Sequence, residues 1–364
     1  MKSPTYQNIP VHVAGRVKYS CRPVKLPIKS MTVPEHSNFP ITVDTIEIAA
    51  AYLKSVGVRT PLLESPYLNK IAHRRVLIKA EVLQRTGSFK FRGAWAAISA
   101  LDENIRKRGV IAYSSGNHAQ GIAHAATLHG IPSTIVMPDD SPALKLANTR
   151  ELGATVVTYD RQGGESREAV GEALAEEQNL TLIRPYDEPM VIAGQGTCGL
   201  ELAEQAKELG VHDGDVLVCC GGGGLSAGIA IALEAHAPGM RVRPVEPAAA
   251  DDTCRSLMAG ERLSNTANPD TFCDAIVTPM PGTLTFPVLQ QLAGPGITVT
   301  DRQVLAAMKL ALMRLKLVVE PGGAVALAAA LEPGNVTGDA VICVLTGGNV
   351  DETWLAAAIS ESAG

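Results

Sequence analysis

Aromatic residues are scarce in this sequence: 5 Phe, 7 Tyr and 2 Trp in 364 residues, or 4%. A core of that size has to be filled by aliphatic and small side chains. The 46% hydrophobic content and 34 glycines supply them, a composition suited to tight helix–sheet packing and close turns. No apolar run approaches the roughly 18 residues that span a bilayer. No basic stripe marks a nucleic-acid surface, and the net charge is −5 with a pI of about 5.9. The seven cysteines, at 21, 198, 219, 220, 254, 273 and 343, show no C-x-x-C or other metal-ligand spacing. Cys219 and Cys220 lie in an apolar run, where cysteine behaves as a small hydrophobe. Reduced thiols and a cytoplasmic setting are the expectation. Internal repeats and low-complexity tracts are also missing. No regulatory-sized module follows residue 350.

Residues 1–30 stand apart. They carry Lys2, Arg16, Lys18, Arg22, Lys25 and Lys29 and no Asp or Glu, a net +6 that leaves −11 for the remainder. A basic, acid-free start is compatible with a transit peptide, but Met31 follows at once, and residues 1–42 are read as an N-terminal extension, a disordered arm or an upstream start. From about residue 76, β-rich apolar runs alternate with helical ones. The strands are expected at 76–81, 110–115, 133–138, 154–159, 181–186, 215–222, 242–247 and 340–348, with helices such as 120–130 and 167–179 between them, and Gly130 as a helix cap. Several of the strand runs are almost continuously apolar, the pattern of parallel strands buried on both faces. The fold class is therefore α/β, with parallel sheets flanked by helices, and the length suggests two domains.

Three strand ends and one lysine could carry chemistry. "GGGGLSAGIA" (221–230) follows the run "VLVCC" and opens a helix. Four glycines let the backbone approach an anion and turn N–H groups toward it, assisted by the helix dipole. The run lacks both the Lys-Ser/Thr of a P-loop and the spacing of a dinucleotide fold. "SSGNHAQGIAHAA" (114–126) clusters Ser114, Ser115, Asn117 and His118 around Gly116 at another strand-to-helix junction, offering donors to a carboxylate, although simple helix capping uses the same residue types. "LTGGNVD" (345–351) ends a third strand. "TGSFKFRGA" (86–94) holds Lys90, whose amine becomes a nucleophile or base only where burial or positive charge lowers its pKa, with Phe89 as apolar cover; alone it reads as a solvated lysine.

In this order the four motifs resemble the fold-type II pyridoxal-phosphate enzymes, specifically the serine/threonine dehydratase and serine racemase branch. The resemblance runs from "TPLLES" (60–65) to "TGGNVD" (346–351) and includes "VIAGQGT" (191–197), "VEP" (245–247) and "EPGGA" (320–324). It implies a two-domain, tryptophan synthase β-like fold with residues 43–109 and 188–364 as the large cofactor domain and 110–187 as a small mobile domain. It implies that Lys90 carries pyridoxal phosphate in Schiff-base linkage, with Phe89 beside the ring, Asn117 on the ring hydroxyl and Thr346 at the pyridine nitrogen. Gly221, Gly222, Gly223, Gly224 and Leu225 would hold the phosphate through backbone N–H groups. Ser114, Ser115, Asn117 and His118 would hold the substrate carboxylate, with Ser115 as a second acid/base. A hydroxyl rather than a carboxylate at the pyridine nitrogen makes the cofactor a milder electron sink, favouring loss of a β-substituent.

The same resemblance makes "VEPAAADD" (245–252) a divalent-cation site formed by Glu246, the carbonyl of Ala250 and Asp252, hard oxygen ligands suited to Mg²⁺ or Ca²⁺. The implied activity is dehydration and deamination of a β-hydroxy amino acid, by default L-threonine or L-serine. Hydroxyaspartate dehydration, serine racemisation and a non-catalytic amino-acid or cofactor binder are the alternatives. An acidic substrate would need a further cation in the pocket, for which Arg92, Arg167 and Arg184 are candidates. The partner is a small-molecule amino acid rather than nucleic acid or membrane, and a homodimer is the implied assembly.

Overall fold

The computed structural model describes residues 39–332 and 334–361; the expectations attached to residues 1–38 lie outside them. The first helix, Val43–Leu53, starts at a capping box in which Thr42 and Thr45 satisfy each other's backbone and side-chain groups.

Ten strands are described: β1 (Leu62–Glu64), β2 (Arg75–Ala80), β3 (Val110–Tyr113), β4 (Ser133–Pro138), β5 (Thr155–Tyr159), β6 (Thr181–Leu182), β7 (Gly214–Cys219), β8 (Met240–Pro247), β9 (Ile297–Val299) and β10 (Ala340–Leu345). They form a six-stranded sheet in the order β1-β2-β10-β7-β8-β9 and a four-stranded sheet in the order β5-β4-β3-β6. Only β1 runs antiparallel to its neighbour. Every residue of β3, β4 and β10 is buried, as their unbroken apolar runs require. The expected strands stand within two residues of their observed N-terminal ends. Two short strands, β1 and β9, carry too few residues to show a period. The run 181–186 is strand only over Thr181–Leu182; beyond it the chain turns so that the carbonyl of Pro185 meets the Lys90 amine at 2.8 Å.

The shortage of aromatics is answered by close backbone contact. Helices Lys90–Ala100, Pro189–Glu208 and Gly224–His236 press together through small residues. A Cβ on Gly194 would lie 2.5 Å from the carbonyl oxygen of Arg92, and one on Gly228 would lie 2.5 Å from that of Ile192. Neither position admits even alanine without moving a helix. Helix Pro321–Leu331, "PGGAVALAAAL", is buried from Pro321 to Ala330 and packs on β7 and β10. Gly130 caps Asn117–His129 in the left-handed region (φ 68°), where its N–H meets the carbonyls of Ala126 and Thr127. No described helix is long and apolar enough to cross a membrane, and the six described cysteines are free and buried.

Candidate active site

The carboxyl ends of β3, β7 and β10 converge on a cleft of about 210 Å³, the place where parallel sheets habitually bind ligands. Its wall contains Phe89, Lys90, Ser114, Ser115, Asn117, His118, Gly221 to Leu225 and Thr346, so motifs from distant parts of the chain share one cavity. Glu246, Ala250 and Asp252 are not among its lining residues.

Lys90 opens its helix. Among the described residues its Nζ bonds only the carbonyl of Pro185, and it stands 5.1 Å from the centre of the Phe89 ring. Burial pushes its pKa down from 10.5 to about 8, with Cys219 and Glu320 resisting the shift. The Pro185 carbonyl accepts from a neutral amine as well as from an ammonium, and the pull of Cys219 and Glu320 only partly offsets burial.

The glycine loop fits an anion. Gly223, at φ 85°, is the N-cap of helix Gly224–His236 and has no side chain to cap it, which leaves first-turn N–H groups for a ligand. A Cβ on Gly222 would fall 2.2 Å from the Tyr186 ring, so the backbone lies bare under that ring. The Ser114–His118 junction is not built by side-chain capping either. Gly116 is the N-cap and no side-chain capping bond forms; Ser114 Oγ accepts the Gly116 N–H at 3.2 Å. The Ser115 side chain, which lines the cavity, makes no hydrogen bond with any other described residue. His118 Nε2 lies 3.0 Å from the carbonyl of Ile183. Burial drives its pKa to about 3, so the ring is neutral, donates from Nε2 to that carbonyl, and leaves a buried Nδ1 without a partner.

The wall also holds residues to which the sequence assigned no place in the site, among them Cys219, Glu320 and Asn349. Cys219 Sγ lies 3.3 Å from Thr346 Oγ1. Burial raises the thiol pKa to about 11, so the sulfur keeps its proton. Glu320 accepts from Asn117 Nδ2 at 2.6 Å, and burial pushes its carboxyl up to about 7. Asn349 Nδ2 donates to Asn117 Oδ1 at 2.7 Å. The last two lie inside "EPGGA" and "TGGNVD", but their meeting with Asn117 spans more than 200 positions, and no local pattern reports it.

The arginine candidates separate cleanly. Arg92 is 1% exposed and locked between Glu81 and Glu201. Arg184 is an exposed partner of Glu172. Arg167 alone of the three lines the cleft, with its guanidinium carbon 5.9 Å from the centre of the Tyr113 ring and Nε on Glu168.

Away from the cleft, Glu246 accepts the N–H groups of Thr253 and Cys254 at 3.0 and 2.7 Å. Asp252 Oδ1 accepts from Asn265, while Oδ2 is buried with no partner. Burial raises both carboxyls, and the charge of Asp252 raises Glu246 further. Among the described residues no three His, Cys, Asp or Glu side chains cluster as metal ligands. The orphaned oxygen and the adjoining acid fit a hard cation whose remaining ligands are carbonyl or water.

Residues 53–347 match the family model described as pyridoxal-phosphate dependent enzyme. The chain is 46% identical over 304 residues to L-threo-3-hydroxyaspartate ammonia-lyase of Pseudomonas sp, covering 83% of this chain and 93% of that one. Among solved structures it resembles a threonine deaminase from T.th. at a TM-score of 0.80 and 46% identity, covering 85% of this chain and 99% of that one. It also resembles maize serine racemase at a TM-score of 0.82 and 36% identity, covering 88% and 97%.

Proposed function

The chain belongs to the pyridoxal-phosphate dependent enzymes, in the serine/threonine dehydratase branch of fold type II, and on that premise we propose that it removes water and ammonia from a β-hydroxy amino acid to leave a 2-oxo acid. L-Threonine and L-serine are the reference substrates. The observation that carries the reading is a lysine amine of depressed pKa in one cleft with a bare glycine-loop helix N-terminus and an uncommitted serine hydroxyl. These are the parts of an acid–base site around an anionic cofactor, not those of a passive binder.

Bound pyridoxal phosphate supplies the electron sink that acidifies the substrate's α C–H. Around it, the N–H groups of Gly221 to Leu225 would hold the phosphate, Asn117 would hold the ring hydroxyl and Phe89 would cover the ring. The Thr346 hydroxyl, 3.3 Å from Cys219 Sγ, would serve the pyridine nitrogen. Ser114, Ser115 and the Asn117 helix end receive the substrate carboxylate. Lys90 Nζ, whose pKa burial lowers to about 8, takes the α-proton in its neutral form. The β-hydroxyl leaves as water with the proton that Lys90 took from the α-carbon, and hydrolysis of the released product gives the oxo acid and ammonia. Residues 110–187, which contain the whole four-stranded sheet, act as the small domain that closes on 43–109 and 188–364 and excludes water. A proton returned by Ser115 instead gives racemisation, the competing outcome.

A second reading, an acidic substrate such as 3-hydroxyaspartate, is favoured by Arg167 in the cleft wall. One experiment addresses all three: a panel of serine, threonine and 3-hydroxyaspartate assayed for oxo-acid release, with chiral chromatography of the residual substrate. Oxo acid from at least one substrate is expected; racemised serine with no oxo acid from any of them overturns the elimination reading. We further assign Glu246, the Ala250 carbonyl and Asp252 to a divalent cation, Mg²⁺ or Ca²⁺. Chelation with EDTA is expected to lower both activity and Tm, and unchanged values of both would remove the metal from the account.

A further inference from the structure

Asn117 does not choose its own orientation. Asn349 Nδ2 donates to two acceptors, the carbonyl of Thr86 at 2.8 Å and Asn117 Oδ1 at 2.7 Å. The atom of Asn117 that faces Asn349 is therefore its oxygen, and its nitrogen is turned to the other side. There it donates to Glu320 Oε1 at 2.6 Å. A primary amide nitrogen carries two hydrogens, so one N–H remains available and the oxygen is engaged.

The surroundings are shaped around this arrangement. Glu320 is the N-cap of helix Pro321–Leu331, yet its side chain makes no capping bond; it is turned to Asn117 instead. Its own N–H donates to the carbonyl of Gly347 at 2.9 Å. A Cβ at position 347 would lie 2.0 Å from Glu320 Oε1 and 3.1 Å from Asn117 Nδ2. The carboxylate reaches the amide only because that residue has no side chain. The contacts tie together four separate segments: the loop leading to Lys90, through Thr86; the helix end that carries Asn117; the start of helix Pro321–Leu331, through Glu320; and the chain after β10.

We propose that Glu320 and Asn349 are positioning residues that lock the Asn117 amide, so that it offers an N–H donor and no competing acceptor to the cofactor oxygen it meets. The inference rests on the reading above that Asn117 holds the ring hydroxyl. A free asparagine amide presents its oxygen or its nitrogen with similar ease, and an oxygen turned to the cofactor's oxygen would repel it. The lock removes that alternative before the cofactor arrives.

The test is cofactor affinity, measured by equilibrium dialysis of the full-length protein, with the visible absorption of the lysine-bound cofactor as a second readout. E320A and N349D are each expected to weaken binding roughly 10-fold; the second converts the donor facing Asn117 into an acceptor. E320Q keeps an acceptor oxygen and is expected to bind as the wild type does. If Glu320 acts through Asn117, E320A adds nothing in an N117A background. Equal damage from E320Q and E320A, or an E320A loss that persists undiminished in N117A, overturns the lock. Should E320A fail to fold, the N349D and N117A pair decides in the same way. An N117A protein with unchanged affinity would instead refute the placement of Asn117 on the cofactor, and the lock with it.

Discussion

Lys90 and Arg92 are two residues apart on one helix and face opposite electrostatic environments. Arg92 is bidentate to Glu81, at 2.7 and 2.8 Å, and bidentate to Glu201, at 2.7 and 2.9 Å, and also bonds Thr197. Lys79 extends the network to Glu201, Gln205 and the carbonyl of Thr60. Burial opposes the Arg92 charge, but Glu81 and Glu201 outweigh it and hold the guanidinium well above its ordinary pKa. Glu81, pushed up by burial, is pulled below its ordinary value mainly by Arg92. Lys90 faces no such pair. One carbonyl meets it, Cys219 and Glu320 offset burial only in part, and its pKa falls to about 8. A buried cation with a full set of partners organises structure, while one denied partners becomes a base. In this protein a single turn of helix carries both.

The contrast is broken most strongly at Lys90. Lys90→Ala is expected to lower oxo-acid release by more than about 10⁴-fold and to abolish the cofactor's lysine-bound absorption. The protein should stay folded, because the change removes a buried amine that lacks a counter-ion. Arg92→Met is expected to do the reverse. It leaves Glu81 buried without its ion-pair partner and Glu201 with Lys79 alone, and a loss of about 3–5 kcal/mol in urea unfolding follows from breaking such a pair. The folded fraction should keep its visible absorption. An Arg92 variant of wild-type stability would show that the network is not what holds the lysine helix in place.

That opposition was within reach of the sequence, since helical residues two apart point about 200° from each other. If Lys90 faces the cleft, Arg92 faces away, and its place among the candidates for binding an acidic substrate ends there. The continuous apolar runs announced β3, β4 and β10, and the glycine run announced the anion cradle, because in both cases the signal is local. Glu320, Asn349 and Cys219 were quoted in their motifs without a role. What gives them one is contact with Asn117 and Thr346, set by how two sheets bring distant strand ends together. The strand expected over 181–186 was cut short for a related reason: Ile183 still bonds Ile111, but the chain beyond it serves Lys90 rather than the sheet. Sequence pattern reports what a segment buries, and the cleft is made of what segments leave exposed to each other.

The smallest effect bears on the same contrast through pH. In the folded, cofactor-free protein Lys90 titrates near 8, below its ordinary 10.5. Between those values the unfolded chain binds more protons than the folded one at this position, so Lys90 makes the fold gain stability as pH rises through the window. Below about 8 both states are protonated and the contribution is flat. Arg92 adds no slope, because a guanidinium does not titrate there. Urea midpoints of the wild type and Lys90→Met, compared across the window and below it, isolate the term. The wild type should gain on the variant as pH rises, and the gap between them should stay constant below the window. A gap constant throughout would mean that Lys90 keeps an ordinary ammonium, and the distinction between the paired and the unpaired cation would lose its chemical half.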